Sequence, residues 1–243
     1  MTTADGTTTD STAAGFRALV DGRRAVRCFT GQQVPEAVIR DCLETAVLAP
    51  SSCNLQPWSF VVVTEPQRLE RLHPVCLGQR AARAPLIIAV LARPDTWKSA
   101  CQEILQRWPA TEVPPAVERF YTTSAPRQYN QGQLGWRGLL KRGLTYVTGL
   151  RKAVMRTPNS QGQMRLWAVK STALAAQNLM LAFQSHGYAT CPMEGFDEKR
   201  LRKVLPLPRQ AIPIMLLAVG QPGERAIHAP RLRFPVEQCV TWY

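Results

Sequence analysis

Four short stretches carry polar groups at spacings suited to binding an anion or the edge of a heterocycle. Arg23-Arg24-Ala25-Val26-Arg27 packs three guanidiniums into five residues. Guanidinium forks pair bidentately with phosphate, and alternate residues of an extended chain point the same way, so Arg23 and Arg27 share a face with Ala25. Taken alone, that stretch reads more simply as a solvated basic turn. Pro50-Ser51-Ser52-Cys53-Asn54-Leu55-Gln56-Pro57-Trp58 sets two hydroxyls and two carboxamides in a proline-stiffened loop ahead of a strand. Such donors and acceptors suit a polar ring, and ordinary loop polarity is the alternative. In Cys191-Pro192-Met193-Glu194-Gly195-Phe196-Asp197, Gly195 permits close backbone approach to a ligand at a helix entrance. Arg231-Leu232-Arg233 alternates again near the end of the chain.

The motifs that are missing narrow the chemistry. There is no Gly-x-Gly-x-x-Gly after a strand, no Gly-Lys-Ser/Thr phosphate loop and no Gly-x-Ser-x-Gly elbow. His73, His186 and His228 are far apart, with no metal-ligand spacing between any two. His186, next to Gly187, reads as a helix-end residue facing the dipole. A nucleophile pair of His186 with Cys191 ranks below Cys191 as a small core residue. The seven cysteines (28, 42, 53, 76, 101, 191, 239) are odd in number and contain no Cys-x-x-Cys, which argues against a disulfide framework or a structural zinc site. No catalytic side chain and no metal ligand is assigned.

These stretches need elements to hold them. Val34-Pro35-Glu36 opens a helix whose apolar face carries Val38, Cys42, Leu43, Ala46 and Val47. Trp58 to Val63 predicts a strand, 66–77 a helix, and Leu86 to Leu91 a fully buried strand. A long apolar helix is expected over 168–185, stopped by Gly187. A short helix capped by Asp197 is expected to Leu205, and a last buried strand over 213–219. Helices alternating with short apolar strands mean mixed α and β. Residues 1–15, rich in Thr and Ser, read as a disordered tail rather than a signal peptide. No run approaches the ~18 apolar residues of a membrane span. With reduced thiols, the expected location is cytoplasmic.

Arg23–Phe29, the 49–60 run Ala-Pro-Ser-Ser-Cys-Asn-Leu-Gln-Pro-Trp-Ser-Phe, Met193–Asp197 and Arg231–Pro235 occur in that order, and together they resemble the FMN-dependent nitroreductase superfamily. The resemblance covers roughly 16–93 and 164–243. It implies an α+β, three-layer α/β/α fold with a mixed central sheet, forming one domain over 16–243 with a helical insertion over 94–163. It also implies a homodimer with FMN at the interface. By that resemblance Arg23, Arg24, Ala25 and Arg27 line the phosphate, ribityl and pyrimidine side of FMN, and Arg231 and Arg233 hold the phosphate. Ser51, Ser52 and Asn54, with Pro50 beside them, reach FMN from the other subunit, and Gln56 supports their loop. Pro192, Met193, Glu194 and Gly195 lie against the ring. Two positions depart from the family: Ala25 stands where Ser is frequent, and a downstream Asn/Lys contact has only Gln79 or Arg80 as nearest candidates.

The implied activity is an FMN-dependent NAD(P)H oxidoreductase reducing nitroaromatic, quinone or similar electron-poor acceptors by ping-pong hydride transfer. Because the flavin carries that chemistry, the absence of a catalytic His, Cys or Asp is consistent with it. Alternatives on the same scaffold are dehalogenation, dehydrogenation and flavin breakdown. A non-catalytic flavin-binding regulator is an alternative of another class.

The charge balance adds a separate question. The 243 residues carry 30 Lys plus Arg against 17 Asp plus Glu, a net charge of +13, with an ordinary 45% hydrophobic content. From Arg119 through Met193 there is no acid, while Arg119, Arg127, Arg137, Lys141, Arg142, Arg151, Lys152, Arg156, Arg165 and Lys170 supply most of the excess. Within it Leu140, Leu144, Val147, Leu150 and Val154 recur at near-helical spacing. A packed helical excursion with a solvated basic face ranks first. A lid that attracts anionic substrate or NAD(P)H ranks second, and a basic amphipathic helix at a membrane surface third. Nucleic acid is not expected, because no recognised motif accompanies the charge.

Overall fold

The computed structural model describes residues 6–132, 135–224, 226–227 and 229–243, with the side chains of 6–10 left aside. His228 lies outside them. Four strands build one sheet: β1 (Trp58–Val63), β2 (Leu86–Ala92), β3 (Ala189–Met193) and β4 (Ile212–Gly220), in the order β1-β2-β4-β3. Central β2 is buried along its whole length, as its unbroken apolar run demands. Alternation sorts its side chains. Leu86 and Ile88 pack with α2 (Glu36–Val47) and α8 (Gln161–Ser185), through Ile39, Cys42, Leu179 and Phe183. Ile87, Ala89 and Leu91 pack on the other face, against Leu72 of α3 (Pro66–Leu72) and Leu201 of α9 (Glu198–Val204). The result is three layers, α/β/α.

Several expectations change here. All strand pairings are antiparallel, and parallel pairing among the described residues is confined to one isolated bridge, Ala25–Thr190. The sheet is thus mixed only at that bridge. The register between β2 and β4 slips between Val90 and Leu91, opposite Pro213, which has no N–H to offer the ladder. β3 was not expected from the sequence. Pro192 interrupts its pattern, and only the edge position of β3 makes a proline there acceptable.

Residues 6–15, expected as a tail, are helical instead: α1 runs Gly6–Gly22. The helix expected over 66–77 stops at Leu72, where a 3₁₀ turn opens at Pro74. α8 starts seven residues earlier than 168, because Ser160 caps it. The Ser160 hydroxyl accepts from the Gln163 N–H at 3.2 Å, and the Gln163 side-chain oxygen accepts from the Asn159 N–H at 2.6 Å. Much of the apolar surface of α8 is covered within the chain, although Leu166 and Leu174 stay exposed. The Asp197 cap of α9 is present, its carboxylate accepting from the Arg200 N–H at 3.1 Å. His186 lies 2.7 Å from the Asp41 carboxylate at the C-terminal end of α8.

The 94–163 segment holds α4 (Trp97–Gln106), α5 (Pro115–Arg119), a π-helical turn at Phe120–Ser124, α6 (Ala125–Tyr129) and α7 (Trp136–Gly149). It is anchored by a third core of Leu55, Cys101, Ala125, Tyr129, Met164 and Trp167.

All seven cysteines are free thiols. Burial pushes Cys42 up to about 12, with Asp41 adding to it, and pushes Cys76 up to about 11. Folding therefore holds both thiols protonated. The stability this supplies is complete below the ordinary thiol value and is lost as pH rises through the folded values. Native protein treated with a thiol reagent at pH 8 is expected to label exposed Cys239 and spare Cys42 and Cys76 until denaturant is added. Equal labelling rates would contradict this burial.

Candidate functional site

Two of the four polar stretches meet. The chain at 23–30 lies along the start of β3 and along 221–226. The Val26 N–H donates to the Thr190 carbonyl at 3.1 Å, the Arg27 N–H to Ala226 at 3.1 Å, and the Thr30 N–H to Gln221 at 2.9 Å. The C-terminal segment returns over it, held by Arg24, which donates to the Ala229 carbonyl at 2.6 Å. Between them opens a cleft of about 230 Å³ lined by Arg23, Arg24, Ala25, Arg27, Arg231 and Arg233, with Ile227 and Leu232. No carboxylate lines it. Among the described residues Arg23, Arg24, Arg27 and Arg233 make no ion pair. Partial burial lowers the pKa of Arg23, and the charges of Arg231, Arg233 and Arg24 lower it further. Such uncompensated positive charge suits a phosphate.

Arg231 is more committed than the resemblance implied. Its guanidinium donates to the carbonyls of Asp21 at 2.6 Å, Arg23 at 2.8 Å and Val20 at 3.4 Å, and lies 3.5 Å from the Asp21 carboxylate. It closes the C-terminal end of α1, where unpaired carbonyls and the negative end of the dipole favour a cation. It adds charge to the cleft, but these donors are already taken. Arg231→Ala is expected to destabilise the fold by about 1–2 kcal/mol, while Arg233→Ala, whose side chain among the described residues bonds its neighbour's carbonyl at 2.7 Å, stays within about 0.5 kcal/mol. Thermal denaturation checks the contrast, and equal losses would overturn it.

The third stretch borders the same region from β3. Met193 is buried, Pro192 is half-buried, and Glu194 and Gly195 are exposed just beyond the strand. Gln79 fixes this turn by donating from its side chain to the Gly195 carbonyl at 2.6 Å and to Cys76 at 3.1 Å. A Cβ on Gly195 would stand 3.1 Å from that amide. Beneath the cleft, burial raises the Cys191 thiol, while Arg27 and Arg23 act to lower it.

The Pro50–Trp58 loop does not join the arginine cleft within one chain. Asn54, Gln56 and Trp58 line a separate concavity of about 760 Å³ with Ser99 and Glu103. The loop is strained: Cys53, Asn54 and Gln56 take positive φ of 58°, 51° and 44°. Left-handed backbone costs ~1–2 kcal/mol per non-glycine residue and persists only where surroundings over-determine it, commonly at binding sites. Here the surroundings are visible. Buried Leu55 anchors the loop, and the Gln56 N–H donates to the Ser51 hydroxyl at 3.0 Å. The Ser52 hydroxyl lies 2.9 Å from the Tyr129 hydroxyl, and Tyr121 donates to the Cys53 carbonyl at 3.2 Å. Tyr129 is buried against Trp167, ring centroids 4.7 Å apart, and burial followed by its bond to Cys53 pushes the phenol upward.

Sequence reasoning missed Tyr121 and Tyr129 as supports of this loop. They lie about 70 residues downstream with no local signal. Gln79 was only a weak candidate, and its contact depends on how the 3₁₀ turns after α3 meet the end of β3.

Comparison with known proteins bears on these positions. A model described as the Nitroreductase family matches residues 20–221. The chain is similar to an NADH dehydrogenase of Thermus thermophilus, 29% identical over 90% of this chain and 92% of the relative. YdgI of Bacillus subtilis, assigned as an NAD(P)H nitroreductase, is 25% identical over 93% of this chain and 97% of its own. A nitroreductase-like protein of Exiguobacterium sibiricum, solved in complex with FMN, shares the fold with a TM-score of 0.66 at 23% identity, covering 94% of this chain and 97% of that one. With the family model spanning the arginine stretch, the strained loop, the whole sheet and the glycine turn, the chain belongs to the nitroreductase family.

Proposed function

We propose that the protein is an FMN-dependent NAD(P)H oxidoreductase acting on nitroaromatic, quinone or similar electron-poor compounds, working as a homodimer. The observation that carries this reading is the arginine cleft: a family member that gathers guanidiniums, with no lining carboxylate, at the edge of its sheet. The residues present fit FMN. Arg23, Arg27 and Arg233 are free to hold its phosphate, Arg24 and Arg231 brace the cleft walls, and Ala25 gives the ribityl chain room. The Met193–Gly195 turn offers backbone N–H groups, kept in place by Gln79. FMN, held there by Arg23, Arg27 and Arg233, would supply the hydride chemistry that links an NAD(P)H donor to an electron-poor acceptor.

The chain's own residues bind and orient. Cationic groups beside the ring would favour negative charge on it. Asn54 and Gln56 line a different concavity from the arginines, and Ser51 and Ser52 line neither, which supports a site completed by the partner subunit's Ser51, Ser52 and Asn54.

Purified protein is expected to show FMN absorbance, to bleach with NADPH under anaerobic conditions, and to turn over a nitroaromatic or quinone. Colourless protein that does not reconstitute with FMN overturns the reading. Bleaching with no turnover of nitro or quinone acceptors moves the assignment to dehalogenation or another flavin reaction, which an acceptor screen on the reduced protein identifies.

A further inference from the structure

The helix α7 is built inside out. Gly138 is buried, and a Cβ there would stand 2.7 Å from the side-chain oxygen of Gln131 and run into the Asn159 carbonyl. Lys141, one turn on, turns inward to donate to the carbonyls of Gln128 at 2.9 Å and Asn130 at 2.8 Å. Thr145 and Thr148 return their hydroxyls to the helix's own carbonyls. At 100° per residue these positions share one side. The opposite side carries Trp136, Leu139, Leu140, Leu144, Tyr146, Val147 and Leu150, all exposed, with Leu140 at 65%, Leu144 at 69% and Leu150 at 72%. The apolar stripe expected to pack inward therefore faces out.

Its edges are cationic. Arg137 and Arg142 flank the stripe on either side, Arg137 over the Trp136 ring at 5.3 Å, and Arg151, Lys152 and Arg156 follow directly. No acid occurs anywhere from 119 to 193. A broad apolar face bordered only by cations matches a surface that is apolar inside and anionic outside. An isologous contact between two copies of α7 would instead set these cations against each other.

We propose that α7 lies on an anionic phospholipid membrane, with its Trp136–Leu150 face in the acyl boundary and Arg137, Arg142, Arg151, Lys152 and Arg156 among the headgroups. No helix among the described residues is long and apolar enough to cross a membrane, so the contact is peripheral. Lys141 ties the inward side of α7 to the backbone on both sides of Tyr129, and Tyr129 holds Ser52, so α7 is linked to the strained loop through the side away from the docked face. The proposal does not depend on the flavin reading.

The test is co-sedimentation of the full chain with vesicles of mixed phosphatidylcholine and phosphatidylglycerol, against phosphatidylcholine alone. Binding is expected to the anionic vesicles, weakening as salt rises. The triple variant Leu140→Asp, Leu144→Asp, Val147→Asp, altered only at exposed positions, is expected to lose at least about tenfold in partitioning with an unchanged far-UV spectrum. Replacing Arg142, Arg151 and Lys152 by Gln is expected to cost about fivefold per charge. No binding to anionic vesicles overturns the proposal. So does binding that survives the Asp variant and falls only in the Gln variant, which would be charge alone. A change of solution mass in the Asp variant with vesicle binding intact also overturns it, and assigns the face to a contact between copies.

Discussion

Arg23→Ala combined with Arg27→Ala is expected to weaken FMN binding about a hundredfold or more. Hydrogen bonds to charged groups contribute about 1.5–3 kcal/mol each, and losing two removes at least about 3 kcal/mol, or two decades in Kd. Both side chains line the 230 Å³ cleft, neither makes an ion pair among the described residues, and the one buried group they act on is the uncharged Cys191 thiol. The fold should therefore be little affected, which separates this pair from Arg231, whose donors hold α1. Titration of apo-protein with FMN, followed by quenching of flavin fluorescence, reads the effect. A Kd within threefold of the parent would remove the phosphate from this cleft.

The second large effect is expected from Leu55→Ala. Leu55 is fully buried with Tyr129, Trp167 and Met164, between residues held at positive φ. Truncation loses the transfer energy of the side chain and leaves a cavity, together about 2–5 kcal/mol. At this chain length that lowers Tm by roughly 2–4 °C for each kcal/mol. The loss also reaches the strained 53–56 loop. Cys53, Asn54 and Gln56 are strained, and without their anchor they are expected to relax, so FMN affinity falls with stability. Leu55→Met keeps the volume and is expected to cost less than about 1.5 kcal/mol. Leu55→Ala with both stability and FMN affinity unchanged would show that the loop is held some other way.

How much of this was readable beforehand differs element by element. α2, β1, β2, β4 and α9 were legible because each carries its own period and its own stop: Pro35 and Glu36, the β-branched run at 58–63, and Asp197. β3 was hidden by Pro192, acceptable only at a sheet edge, and edge position is a property of the assembled sheet. The start of α8 was hidden because Ser160 and Gln163 act through a cap that apolar periodicity does not register. Residues 6–15 have the composition of a tail, and are helical in continuity with Phe16–Gly22.

The site divides along the same line. The arginines at 23–27 and 231–233, the polar loop and the glycine turn were all visible as residue types, because the chemistry that favours guanidinium for phosphate is local. That the first and last stretches form one cleft while the loop opens elsewhere followed only from the pairing of 23–30 with β3 and 221–226. The sequence also showed a stripe of leucines amid ten cations, but a helical period says only that two faces differ, not which one faces the protein. Packing decided that. Gly138 fits closely against Asn159 and Gln131, and Lys141 finds two carbonyls, so the polar side of α7 turns in and the apolar side is left outward.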